Sequence, residues 1–141
     1  MEMKTKMKKV IAEVLEPIPE LHKKFLEGKE FAVKIFAEAM MPLSIEVQDW
    51  GAKKVFIVAH YFEQNGDLVP DPDMMFLLDN SDPLEISQAL GYSRGYETTP
   101  DGKMVPTKDL PSLREFANTW AENIKNGPYR DSAKEGNYRI L

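Results

Sequence analysis

Val55-Phe56-Ile57-Val58-Ala59-His60-Tyr61-Phe62 is apolar at nearly every position, and Glu63-Gln64-Asn65-Gly66-Asp67 follows it directly. A strand with one wet face alternates apolar and polar side chains. A run that is apolar at both parities needs cover on both sides, which predicts a strand at the centre of a sheet. Asn65-Gly66 marks its end, because both central residues of a type I′ hairpin turn need positive φ. Upstream, Leu43, Ile45 and Val47 alternate with Ser44, Glu46 and Gln48, predicting a neighbouring strand with one polar face. Residues 49–52 connect the two tightly. Phe31, Val33 and Ile35 fit a further strand; Phe31, Ile35, Phe36, Ala39 and Met40 also fit a helix, and the strand is preferred. Downstream, Pro70 and Pro72 are expected to keep their segment out of the sheet interior, since proline has no N–H to donate. Residues 74–78 are expected as the next strand. Residues 84–96 should form one more, or a bent pair interrupted at Gly91 and Gly95.

Helices are expected at both ends. Met7, Val10, Ile11, Val14 and Leu15 recur at helical spacing within residues 5–16, and Pro17 and Pro19 stop that helix. Pro19 then suits the first turn of a second, short helix with Leu21, Phe25 and Leu26 inward and Gly28 past its end. His22, beside Lys23 and Lys24, reads as a surface residue. Ser112-Leu113-Arg114-Glu115 has the form of a capping box, followed by an apolar stripe of Leu113, Phe116, Ala117, Trp120 and Ile124. Asn126-Gly127-Pro128 should end that helix. The residues after Tyr129 are polar and read as a loosely attached tail. The expected fold is therefore α+β: a twisted antiparallel sheet of about five strands with helices packed on one face. Its expected organisation is an N-terminal helical segment over 1–29, a core domain over 30–128 and a polar C-terminal tail over 129–141.

Composition narrows the function. The 141 residues are 43% hydrophobic and 29% charged, which fits one soluble globular domain rather than a disordered or fibrous chain. The absence of cysteine removes disulfides, thiol nucleophiles and thiolate-held zinc. A net charge of −5 argues against a broad phosphate-binding face. Lys4, Lys6, Lys8 and Lys9 resemble the start of a secretory signal. The apolar stretch after them is short, is interrupted by Glu13 and lacks a small-residue cleavage site, so a cytoplasmic protein is expected. No phosphate-binding loop, nucleophile elbow or His-Glu-x-x-His motif is present.

Charge is unevenly spread. Residues 55–93 hold seven acids and no lysine or arginine, so this stretch carries −7 and the rest of the chain +2. Asp71, Asp79 and Asp82 fall where aspartate serves turns by bonding nearby backbone. The enzyme-like alternative groups His60, Glu63, Asp67, Asp71 and Asp73 around one hairpin as ligands for a divalent cation such as magnesium or manganese. His60 alternates with Phe56, Val58 and Phe62, so a hydrogen-bonded core histidine is the favoured reading; no other cofactor is expected. Gly91-Tyr92-Ser93-Arg94-Gly95-Tyr96 interleaves aromatics with an arginine. Tyr92, Arg94 and Tyr96 are the candidate partner-binding residues, for a protein or, less favoured, for single-stranded nucleic acid. Met40, Met41, Met74 and Met75 read as adaptable core filler.

The segments 41–46, Ala-His-Tyr-Phe-Glu-Gln-Asn-Gly-Asp-Leu at 59–68, Asp-Pro-Asp-Met at 71–74 and 116–124 together resemble a small bacterial domain family of unknown function. Its members are often encoded near plasmid-like and conjugative elements. The resemblance spans about residues 40–128 and transfers no catalytic residue. It implies an accessory protein of a mobile element. The expectation taken forward is a non-enzymatic protein-interaction module, using the acidic hairpin edge or the strand near Tyr92, with edge-strand addition as one mode. No membrane partner is expected, and the oligomeric state is left open.

Overall fold

The computed structural model describes residues 2–141. Its centre is β3 (Lys54–Gln64), joined through Asn65 and Gly66, both at positive φ, to β4 (Asp67–Leu77). The two-residue turn and the Gln64–Asp67 pairing are those of the predicted hairpin. On the other side β3 pairs with β2 (Leu43–Asp49), and β2 with β1 (Phe31–Ile35), which settles the strand–helix ambiguity of that segment in favour of a strand. β5 (Pro83–Gln88) and β6 (Gly91–Arg94) form the predicted bent pair, a hairpin turned at Ala89 and Leu90. With a last strand, β9 (Tyr138–Ile140), the sheet order is β6-β5-β4-β3-β2-β1-β9, antiparallel throughout, so β3 lies in the middle position. Seven strands replace the expected five. A separate two-stranded ribbon joins β7 (Tyr96–Thr98) and β8 (Met104–Pro106).

β9 (Tyr138–Ile140) comes from the segment expected to be a polar tail. That segment folds into α4 (Tyr129–Lys134), with Tyr129, Ser132 and Ala133 buried, and then pairs along β1 as the outermost strand. An edge strand needs only one apolar face at most, so composition hid it. Pro70 and Pro72 both lie inside β4, yet out of the sheet interior as expected. β5 pairs with β4 only from Asp73 to Phe76, so residues 67–72 bond on one side alone and the prolines sit at a free edge. There β4 carries one extra residue relative to β3, between the Ala59–Asp73 and Tyr61–Pro70 pairs.

α1 (Met7–Leu15) buries the whole predicted stripe, and α2 (Pro19–Glu27) ends at Gly28 with φ of 68°. Leu26, expected inward, is exposed, as is Phe116. α3 (Leu110–Asn126) begins two residues before the expected capping box; its N-cap is Asp109 with no side-chain cap bond, and Pro111 occupies the first turn. Strand residues of one parity, such as Val33, Ile45, Phe56, Val58, Met74 and Phe76, share a single hydrophobic cluster with Ile11, Phe25, Trp120 and Tyr129 of the four helices. Phe56 meets the Phe25 ring edge-on at 5.4 Å and stacks on Phe76 at 4.9 Å, tying α2 to β3 and β4. Gly95 separates β6 from β7. A Cβ there would stand 2.4 Å from the Pro83 carbonyl oxygen, so only glycine permits this close passage.

Candidate functional site

The opposite parity of the strands makes a second, half-exposed face. Across it run Ala32 and Lys34 of β1, Ser44, Glu46 and Gln48 of β2, and Ile57 and Tyr61 of β3. Asp73 and Met75 of β4, Glu85 and Ser87 of β5, and Tyr92 and Arg94 of β6 continue the same face. The alternation in β2 made its wet side readable. Register decides what meets across strands: Ala59 opposes both Ser44 and Asp73, Asp73 opposes Ser87, and Ser87 opposes Tyr92.

Three acids, Glu46, Asp73 and Glu85, therefore gather near the centre of this face. The Tyr61 hydroxyl donates to Asp73 Oδ2 at 2.5 Å, and the Tyr92 hydroxyl donates to Glu85 Oε2 at 2.7 Å. Gln48 Nε2 donates to Glu46 Oε2 at 2.6 Å. Burial raises the Asp73 pKa; the Tyr61 hydrogen bond opposes that, and the charges of Glu85 and Glu46 push it further up. Tyr61 is likewise raised, by burial first and then by Asp73 and Glu46. Asp73 thus feels two neighbouring carboxylates across a partly desolvated surface, and the three acids form a local negative cluster. Basic residues stand at its margins, with Lys34 and Arg139 paired at one edge and Arg94 at the other.

This arrangement has a stability cost that can be measured. An Asp73→Asn variant keeps an acceptor for Tyr61 and removes a repelled charge. It is expected to be more stable at pH 7 by about 0.2–1 kcal/mol, the range for like charges brought together across strands. Because the folded-state pKa of Asp73 is raised, its ionisation opposes folding above the ordinary carboxyl pKa of about 3.9. The gain should disappear below that pH, which urea denaturation at pH 7 and pH 3 would check.

The hairpin residues considered for a metal are distributed differently. His60 lies on the core side, between the Trp120 and Tyr129 rings at 5.6 and 5.7 Å. Its Nδ1–H donates to the Pro42 carbonyl at 2.9 Å, since a carbonyl oxygen can only accept. Asp73 lies on the other face with Tyr61, while Glu63, Asp67 and Asp71 are exposed along the hairpin. Among the described residues no group of three or more histidines and acids is placed to hold a metal ion. Sequence proximity joined His60 to Asp73; the strand pleat puts them on opposite faces.

Of the partner-binding candidates, Tyr92 and Arg94 belong to the half-exposed face. Arg94 Nε donates to the Tyr92 hydroxyl at 3.0 Å. Tyr96 instead donates its hydroxyl to Asp82 Oδ2 at 2.6 Å. Beside the outer edge of β6 is a groove of about 460 Å³ that includes Thr107 and Asp109. Thr107 Oγ1 donates to the Arg94 carbonyl at 2.6 Å, and Ser93 Oγ donates to Asp109 Oδ2 at 3.1 Å. Of the β6 backbone groups, the Arg94 carbonyl is thereby engaged by a side chain.

A family model, the domain of unknown function DUF6908, matches residues 9–129. The chain belongs to the DUF6908 family. No curated protein and no solved structure matches it. The DUF6908 match takes in α1 from Lys9 onward, α2, the strands β1–β8, α3 and the first residue of α4, so it includes every acid of the half-exposed face. Among the described residues no helix is long and apolar enough to cross a membrane.

Proposed function

We propose that this DUF6908 protein is a non-enzymatic interaction module that receives a cationic segment of a partner protein on the half-exposed face of its sheet. In this reading α1 to α4 pack on the other face and serve as its support. The observation that carries the proposal is the convergence of Glu46, Asp73 and Glu85, with Tyr61 and Tyr92, on a surface flanked by half-buried Ile57 and Met75. Apolar area with a central acid cluster complements a strand or loop rich in lysine and arginine. The same field repels phosphate, which disfavours nucleic acid as the partner. We place the protein in the cytoplasm of a bacterium carrying a mobile element, a setting supported by the residue resemblance around His60.

A fluorescently labelled ten-residue peptide of alternating lysine and threonine serves as the test ligand. It should bind at low salt, and its affinity should fall as added salt screens the field. The triple variant E46Q/D73N/E85Q should weaken binding by about tenfold or more, since each exposed pair is worth up to ~1 kcal/mol. The variant E20Q/E115Q/E135Q, which removes the same charge from helices α2 and α3 and from the residue after α4, should bind like the wild type. Equal loss in both variants would reduce the effect to net charge and contradict the proposal.

A further inference from the structure

At one end of the half-exposed face the β7–β8 ribbon and the β2–β3 connection enclose a cleft of about 250 Å³. Two aromatic rings line it, Trp50 and Tyr96. Both have their polar atoms engaged elsewhere: Trp50 Nε1 donates to Gln48 Oε1 at 2.8 Å, and the Tyr96 hydroxyl donates to Asp82. What they offer the cleft is ring surface. Met75 and Met104 add soft, polarizable apolar lining.

Two cations enter the same cleft. Lys53 Nζ stands 5.5 Å over the Trp50 ring and 3.4 Å from Met104 Sδ, a weak acceptor. Arg94 uses Nε on the Tyr92 hydroxyl, and no bond among the described residues engages its two Nη groups. Neither cation is in an ion pair among the described residues. Glu85, already accepting from Tyr92, is the one acid in the lining, so the cleft carries a formal charge of +1. A cavity of this size is below the usual range for drug-sized ligands of about 300–1,000 Å³. Two ring surfaces, two cations outside any ion pair among the described residues and a single surplus positive charge suit a small aromatic anion.

We propose that this cleft binds a small aromatic monocarboxylate, with the ring between Trp50 and Tyr96 and the carboxylate on Lys53 and Arg94. An arginine with free Nη groups suits the planar carboxylate, and Glu85 disfavours a dianion. The cleft shares Glu85 and Met75 with the acidic face, but the groups assigned to the ligand, Trp50, Tyr96, Lys53 and Arg94, are not members of the acid cluster.

Trp50 is 48% exposed whereas Trp120 is buried, so tryptophan emission reports on the cleft. Benzoate should quench it saturably with a dissociation constant of about 1 mM. Benzamide, which lacks the charge, and acetate, which lacks the ring, should bind at least about tenfold more weakly; phenyl phosphate should also bind more weakly, because its second negative charge meets Glu85. Lys53→Met and Arg94→Leu should each reduce benzoate affinity by a similar factor while retaining the wild-type circular dichroism spectrum. Lys108→Met, outside the cleft, should not. Trp50→Phe should abolish the signal, and competition by unlabelled benzoate against a fluorinated analogue followed by ¹⁹F NMR gives a readout independent of Trp50. Absence of saturation in both readouts, or equal binding of benzamide, would overturn the proposal.

Discussion

Replacing Arg114 by alanine is expected to remove about 3–5 kcal/mol of stability, the cost of stripping the partner from a buried charge. Arg114 grips Asp82 with both ends of its fork, Nε to Oδ1 at 2.8 Å and Nη2 to Oδ2 at 2.9 Å. The Asp82 side chain is 1% exposed, while Arg114 is 33% exposed and reaches inward from α3. Burial alone would raise the Asp82 pKa; the bonds from Arg114 and Tyr96 outweigh it and hold the carboxyl below its ordinary value. Without Arg114 the carboxylate keeps the Tyr96 hydroxyl as a hydrogen-bond donor and the more distant charge of Lys4.

The pH dependence follows from the sign of this shift. Asp82 contributes stability that is present above the unfolded pKa of about 3.9 and is lost as pH falls through its lower folded value. The difference between wild type and Arg114→Ala should therefore narrow below about pH 4. Thermal denaturation at pH 7 should show a drop in Tm of roughly 10 °C or more. The double variant D82N/R114M should recover much of the loss, because removing both partners leaves no orphaned charge. A drop in stability under about 1 kcal/mol would make the pair an ordinary surface contact.

The second large effect concerns Phe56. Phe56→Ala should cost about 3–5 kcal/mol, as it opens a cavity and removes contacts with Phe25 and Phe76. Phe56→Leu should cost less than half of that. Its chain neighbour Ile57 points to the other face and is only half-buried, so Ile57→Ala should cost roughly 1 kcal/mol. Urea denaturation of the three variants checks the result, and equal losses at positions 56 and 57 would contradict the assignment of faces.

Much of this fold is legible in the chain because its strongest signals are local. The two-sided apolar run at 55–62 placed β3 at the sheet centre, Asn65-Gly66 closed the hairpin, and the stripe from Met7 to Leu15 marked the buried face of α1. The prolines at 70 and 72 likewise marked a segment with only one neighbouring strand. Weaker signals misled where tertiary context decided. Residues 138–140 carry no strong strand pattern, yet the exposed edge of β1 recruits them as β9. Ser112 and Glu115 have capping-box chemistry, but the helix starts earlier, at Leu110, a buried residue that packs beside Gly95.

The candidate site was less legible for a geometric reason. Glu46, Asp73 and Glu85 lie on three different strands, far apart in sequence, and only register brings them together. The eye instead groups acids that are close along the chain, as with Glu63, Asp67 and Asp71, which the hairpin leaves exposed in solvent. Tyr61 and His60 show the difference most simply: adjacent residues, one hydrogen-bonded to Asp73 on the acidic face and the other to Pro42 beside the core.

Amide shifts of ¹⁵N-labelled protein during titration with the alternating lysine–threonine peptide test the docking surface directly. Perturbations confined to β2 to β6, centred on Glu46, Tyr61, Asp73 and Glu85 and absent in E46Q/D73N/E85Q, are the predicted result. Perturbations centred on the helices, or scattered evenly over the surface, would contradict it.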